Sequence, residues 1–295
     1  MKKLLVKMLV FAGAFAFGMF LANVVHASSG PKEDKGTLWK IEGNGIQTSY
    51  LFGTIHVVGK SDFVLSEKAE ELLMESDNLV LELDMDDPTF QMQMMQHAGM
   101  KGEYGLSTLL SKEEYQLVEA QVQKVIGAGL APFESMKPFV VTSMLYPLII
   151  GEEVASYELS LIQLAAEQQK EVLGLETLEY QFSIFDKIPY EQQADELVET
   201  VAETKKMSEM FSKLVDLYKS GDLLALKNEV YSYYENPQYG KWLLDDRNEN
   251  WVSRIAELSK EQSNFYAVGA GHLGGEMGVI NLLRRAGYKV TAVKQ

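Results

Sequence analysis

Tyr50-Leu51-Phe52-Gly53-Thr54-Ile55-His56 is a short apolar run that meets a glycine and then a histidine. Aromatic and aliphatic residues in a run of this length read as a buried strand. Gly53 permits a tight turn and a close backbone approach, so His56 falls at or just past a strand end. Upstream, Gly36 to Ile41 and Thr48 to Phe52 flank Gly43-Asn44-Gly45, which is a hairpin signal. The same arrangement returns near the other end of the chain. Asn264 to Val268 is a second apolar strand, and Gly269-Ala270-Gly271-His272 follows it. Gly275 to Ala286 then has the pattern of an amphipathic helix, and Tyr288 to Val293 that of a final strand.

Between these ends the chain is mostly helical. Leu65 to Leu73 has helical spacing, and Asn78 to Asp84 reads as a buried strand. Ser111-Lys112-Glu113-Glu114 fits a capping box that opens a helix to about Ile126. Phe139 to Ile150 suits one buried helix, Ser160 to Gln169 another, and Glu171 to Glu176 a short strand. Pro189 begins a charged helical region that runs to about Leu258, with breaks near Gly221 and Pro237. Sheet elements at both ends around a helical middle predict an α/β or α+β fold, with residues 36–295 in one compact domain.

Composition narrows the partners. The chain has 295 residues, 46% of them apolar, which is ample for a core. A formal charge of −15 repels nucleic acid and anionic membrane and is compatible with cationic peptides. There is no cysteine, so disulfides, thiolate metal sites and a Cys nucleophile are excluded. At the N-terminus, Lys2, Lys3 and Lys7 precede an uncharged apolar run from Met8 to Ala22, and Val25-His26-Ala27 offers a cleavage site. Residues 1–27 therefore read as a signal peptide cleaved after Ala27, with an uncleaved anchor as the alternative. Either reading puts the remainder outside the cytoplasm, whether periplasmic, cell-surface or extracellular. Residues 28–35 read as a flexible leader.

Beyond residue 27 only His56, His97 and His272 remain. Two of these sit in Gly-x-x-His after a strand, and strand ends are where open α/β sheets place their sites. Neutral imidazole is the commonest nitrogen ligand for Zn and suits other divalent ions. The plainer alternative is two separate histidines that bond loop backbone. Glu82 lies in Leu79-Val80-Leu81-Glu82-Leu83, where a carboxylate is costly unless paired, metal-bound or at an exposed strand end. Asp84 would share its face. Glu176 after Val172-Leu173-Gly174-Leu175 raises the same question. Arg247, between Asp246 and Asn248, suits a solvated helix face or an oxyanion-stabilising role. His97 lies in a Met-rich patch, Met92 to His97, that suits flexible core or a partner surface.

These segments together resemble the TraB/GumN family, which includes the Tiki proteins. Tyr50 to Val57, Leu79 to Asp84, Leu173 to Thr177, Asp246 to Asn248 and Val268 to Gly275 carry the resemblance, with Gly278 to Tyr288 closing it. It extends from about Gly36 to the C-terminus. One departure is Leu273-Gly274-Gly275-Glu276, where Leu-Pro-Gly-Glu is expected. The resemblance implies an α/β fold related to erythromycin esterases, with both Gly-x-x-His histidines and a strand Glu in one site. Tiki members are described as metal-dependent proteases that use Mn or Co to trim Wnt proteins. TraB-type members shut down peptide pheromones by binding or degrading them.

The favoured expectation is thus an exported, metal-dependent hydrolase of peptides or proteins. His56, His272 and Glu82 would hold a divalent ion (Mn, Co or Zn), with Glu82 as third ligand or as base. Glu176 would be an alternative acid, and Arg247 would steady an oxyanion or a substrate carboxylate. The rivals are a metal-free esterase-like hydrolase, a protein that captures peptides without cleaving them, and a haem or metal carrier.

Overall fold

The computed structural model describes residues 35–234 and 236–295. The expected signal peptide, and the expected leader except its last residue, lie outside the described residues. The strands are β1 (Leu38–Glu42), β2 (Ser49–Thr54), β3 (Val58–Gly59), β4 (Asn78–Leu81), β5 (Val154–Ala155), β6 (Glu171–Gly174), β7 (Asn264–Gly269) and β8 (Lys289–Ala292). Gly43, Asn44 and Gly45 all take positive φ, and this turn pairs β1 with β2 antiparallel, Leu38 opposite Phe52.

The fold is mixed α/β. One six-stranded sheet has the order β6-β4-β7-β2-β1-β8. Its neighbours β6, β4, β7 and β2 are parallel. All four therefore release the chain at the same edge of the sheet. Their residues, such as Leu79-Val80-Leu81 and Phe265-Tyr266-Ala267-Val268, are buried, as parallel strands covered on both faces require. The helices Glu67–Glu75 and Tyr157–Glu167 pack on each other and on these strands. A second apolar cluster, including Val118, Val141, Phe182 and Leu197, lies within the helical middle. β3 and β5 form a separate two-stranded ribbon.

Several boundaries differ from those read in the sequence. β4 ends at Leu81, so Glu82 stands just past the strand rather than within it. The reason is that Leu79 to Leu81 belong to the sheet core whereas Leu83 belongs to the second cluster, so the chain must leave the sheet at this point. The Phe139–Ile150 stretch is two helices, Pro138–Met144 and Tyr146–Ile150. Pro147 lacks the N–H that would continue the first helix but fits the first turn of the second, where that N–H is not needed. The helix expected from Ser160 begins at Tyr157, capped by Ser156, whose hydroxyl accepts from Leu159 N–H. The last helix is only Val279–Arg285, because Gly275 (φ +78) and Gly278 close a turn before it.

Candidate functional site

Four acid or imidazole side chains leave the sheet from the ends of its four parallel strands. His56 follows β2, Glu82 follows β4, Glu176 follows β6, and His272 ends the 3₁₀ turn Ala270–His272 after β7. Glu82 sits between the two histidines. Its Oε1 is 3.6 Å from His56 Nε2 and 3.8 Å from His272 Nε2. The same oxygen accepts Gly269 N–H at 2.9 Å. Gly269 leaves room for all three. A Cβ there would lie 3.1 Å from His56 Nε2, 3.4 Å from Glu82 Oε1 and 3.6 Å from His272 Cδ2.

Each imidazole is held through its Nδ1. The β3–β5 ribbon brings Ser156 to Glu158 beside the end of β2, and Glu158 Oε1 accepts from Thr54 Oγ1 at 2.7 Å and from His56 Nδ1 at 2.9 Å. Glu158 lies in the first turn of its helix, where the N-terminal dipole favours a carboxylate. For His272 the partner is Asn248. Asn248 Nδ2 donates to the carbonyls of His272 and Met277, which turns its Oδ1 toward His272 Nδ1 at 2.6 Å. An amide oxygen can only accept, so Nδ1 carries the proton and Nε2 keeps its lone pair.

Arg247 binds the carboxylates together. It is buried rather than on a solvated face. Its Nη2 donates to Glu82 Oε2 and Glu176 Oε1, both at 2.5 Å, and its Nε to Glu176 Oε1 at 2.9 Å. Its Nη1 donates to the Leu243 carbonyl at 3.0 Å and to His272 Nε2 at 3.2 Å. Trp251, one turn on, lies under the guanidinium at 4.9 Å and donates its indole N–H to Glu176 at 3.1 Å. The indole also packs on the His272 ring at 4.4 Å. Gln181 donates to Glu176 at 3.0 Å and to Glu82 at 3.4 Å.

The charges follow from these contacts. Burial pushes the Glu82 carboxyl up, but Arg247, the imidazoles and Gly269 N–H outweigh it and hold the group well below the usual carboxylate range. Burial pushes His56 down, yet the carboxylates of Glu158 and Glu82 raise it to about 9. His272 is driven well below the usual imidazole range by burial and by Arg247. At neutral pH the site therefore holds a charged His56 and a neutral His272.

His97 stands apart from this cluster, its ring 6.2 Å from that of Phe182 on the Leu178–Phe185 helix. Asp84 turns away to accept Asp87 N–H at 3.2 Å. Burial and Asp86 raise it to about 6. Glu158, Asn248, Trp251 and Gln181 were not singled out in the sequence. Only Asn248 had a visible signal, its place beside Arg247.

The donor set of two imidazoles and one carboxylate suits a divalent ion of the Zn type. Tetrahedral ligands at about 2.0–2.2 Å are about 3.3–3.6 Å from each other, so gaps of 3.6 and 3.8 Å are slightly open. Among the described residues no group of three or more His, Cys, Asp or Glu side chains is closed enough to hold an ion. Arg247 accounts for this, since it takes the second oxygen of Glu82 and faces His272 Nε2. The donors fit in kind, and closing on an ion would require the His272 Nε2 lone pair to turn from Arg247.

Residues 37–292 match the sequence profile of the TraB/PrgY/gumN family. The chain belongs to this family. It is 24% identical to Metalloprotease TIKI1 of Danio rerio, over 88% of this chain and 64% of that protein. It is 25% identical to Metalloprotease TIKI2 of Xenopus tropicalis, over 82% of this chain and 57% of that protein. The chain thus spans roughly three fifths of the length of these curated relatives. No solved structure matches it. In this TraB/PrgY/gumN chain the glycine at position 274 has a packing reason. A Cβ there would lie 2.5 Å from the Leu223 carbonyl oxygen. Among the described residues no helix is long and apolar enough to cross a membrane.

Proposed function

We propose that this protein is an exported, metal-dependent hydrolase of peptide bonds, with His56, His272 and Glu82 holding a divalent cation such as Mn, Co or Zn. The observation that carries this reading is the convergence of His56 Nε2, His272 and Glu82 Oε1 above Gly269. The names of the relatives, both metalloproteases, agree with it. When bound, the ion supplies a water of lowered pKa and polarises the scissile carbonyl.

The chain's own residues then have separable tasks. Glu158 orients His56 through Nδ1 and leaves Nε2 facing the site. Asn248 fixes the His272 tautomer that presents a lone pair at Nε2. Such outer partners commonly set the direction of ligating imidazoles. Glu82 is favoured over Glu176 as ligand, because its Oε1 faces both rings while Glu176 is engaged by Arg247, Trp251 and Gln181. Glu176 is then a positioning residue for Arg247. Arg247 spends its N–H groups on Glu82, Glu176, the Leu243 carbonyl and His272, so its task is to hold these groups in place rather than to touch a substrate.

The metal-free rival needs a neutral imidazole as general base. His56, raised to about 9, is protonated at neutral pH, and the His272 lone pair already faces Arg247. Ligation of an ion needs the same two lone pairs, so these facts do not separate the readings, and metal dependence does. The deciding experiment is peptide-library cleavage by the mature protein with added Mn, Co or Zn and after chelation. Cleavage should require metal, and His56→Ala and His272→Ala should each abolish ion binding and turnover together. Full hydrolysis by demonstrably metal-free protein refutes the reading. Peptide binding without cleavage under every metal would establish capture instead.

A further inference from the structure

Of the cluster described above, His56, Gly269 and His272 line one side of a cleft. The other walls are apolar and come from four separate segments. Tyr146 opens one short helix, Leu214 lies on the helix Thr204–Ser220, Leu226 and Val230 lie on Leu223–Ser232, and Leu244 lies in the π-helical turn Lys241–Asp245. His56 and His272 line the same space, which has a volume of about 140 Å³. Its base is closed by Tyr218, whose hydroxyl donates to the Gly53 carbonyl at 3.0 Å.

Two features of this cleft restrict what can enter it. First, among the described residues the histidines are its only ionisable lining groups apart from phenols, and no Asp, Glu, Lys or Arg side chain lines it. A substrate ammonium or guanidinium buried there would meet no acidic side chain in the lining and would lie beside the positive charge of His56, and burying an unpaired charge is strongly unfavourable. Second, its size suits one large side chain. A cavity of about 150 Å³ lined by Leu, Ile and Phe stays dry and takes up benzene.

From these walls we infer that the cleft is a specificity subsite for one large uncharged side chain, such as Leu, Met or Phe, next to the bond being cut. The inference rests on the hydrolase reading above but makes its own claim. Acidic composition attracts basic peptides at long range, yet this subsite rejects a basic side chain at the one position that it contacts. Selectivity comes from apolar contact, so it is graded by size. One methylene in such a pocket is worth about 10- to 200-fold. Val230 is the natural position to alter. It is only half-buried, at the place where both apolar clusters meet the cleft, and its Cγ2 lies 3.8 Å from where a Cβ on Gly271 would be.

The test uses the full mature chain with Mn and a series of quenched fluorescent peptides. The peptides differ at one position beside the scissile bond: Ala, Ser, Leu, Phe, Lys or Glu. Binding of the matching N-acyl amino acid amides is measured separately by calorimetry, without turnover. We expect kcat/KM for Leu and Phe to exceed that for Ala by at least about tenfold, and Lys to fall below Ala. Val230→Phe should shift preference toward Ala, and Val230→Ala toward Phe, each by about tenfold with the fold intact by circular dichroism. Equal cleavage across the series, or a preference that neither Val230 variant moves, overturns the subsite. Apolar preference in binding with no turnover keeps the subsite and overturns the hydrolase reading. Turnover with no apolar preference does the reverse. Neither binding nor turnover of the apolar members overturns both.

Discussion

Replacing Gly269 with alanine should impair the site while leaving the protein folded. The new methyl would stand 3.1 Å from His56 Nε2, 3.4 Å from Glu82 Oε1 and 3.6 Å from His272 Cδ2. Relaxed contacts between heavy atoms lie near 3.5–4.0 Å, so His56 must retreat by a few tenths of an ångström. It cannot do so freely, because its Nδ1 is tied to Glu158 at 2.9 Å. The backbone itself tolerates alanine, since Gly269 has φ −52 and ψ 131. Restricting the unfolded chain contributes about 0.4–1 kcal/mol of stability, and overpacking costs about 1–3 kcal/mol. The net loss is about 0–2.5 kcal/mol, which a domain of this size survives. Misplacing a reacting group by about 1 Å costs about 100-fold, so a shift of a few tenths should lower kcat/KM by about tenfold. The assay pairs peptide turnover with ion affinity from calorimetry and a thermal midpoint. Wild-type turnover together with wild-type ion affinity in folded Gly269→Ala protein would refute the claim that these groups meet above that residue.

Arg247→Met leaves Glu82 and Glu176 buried without their shared cation, so urea denaturation at neutral pH should show a loss of about 3–5 kcal/mol. A loss below about 1 kcal/mol would mean that Arg247 does not hold the carboxylates. His56 is raised from 6.5 to about 9. Its charged form therefore contributes stability that is fully present below pH 6.5 and is lost as pH rises through about 9. Glu158→Gln removes the largest raising partner, so the thermal midpoint of the metal-free variant should fall less between pH 7 and 9 than that of metal-free wild type. Identical pH dependence would count against Glu158 as the partner. N-terminal sequencing of protein from the producing cell should begin at Ser28, whereas a membrane-held chain starting at Met1 would show an anchor.

The sequence by itself determined the frame of this molecule. Tyr50 to His56 and Asn264 to His272 were readable because a strand, a glycine turn and the following residue are local features. Their chemistry depends on neighbours within a few positions. The hairpin at Gly43-Asn44-Gly45 and the capped helix from Ser111 were legible for the same reason, and the structure has both. The parallel order of the strands then brought the ends of β2, β4, β6 and β7 to one edge, an arrangement that no local pattern encodes.

Only the tertiary structure decided what surrounds the four strand-end groups. Asp245-Asp246-Arg247-Asn248-Glu249 looks like a solvated helix face, since charged neighbours ordinarily seek water. Burial of Arg247 is compensated by Glu176 and Glu82, which lie 71 and 165 positions away in the chain. Glu158 lies before the helix expected from Ser160 and carried no signal, yet it is the partner of His56, 102 positions distant, because the β3–β5 ribbon closes that gap. Trp251 had no signal apart from its size, yet its ring supports both Arg247 and His272. A buried charge is stable only where its counter-charge is also buried. Which residues meet that condition is settled by long-range packing, and so the choice between a solvated face and a functional centre was made by the fold.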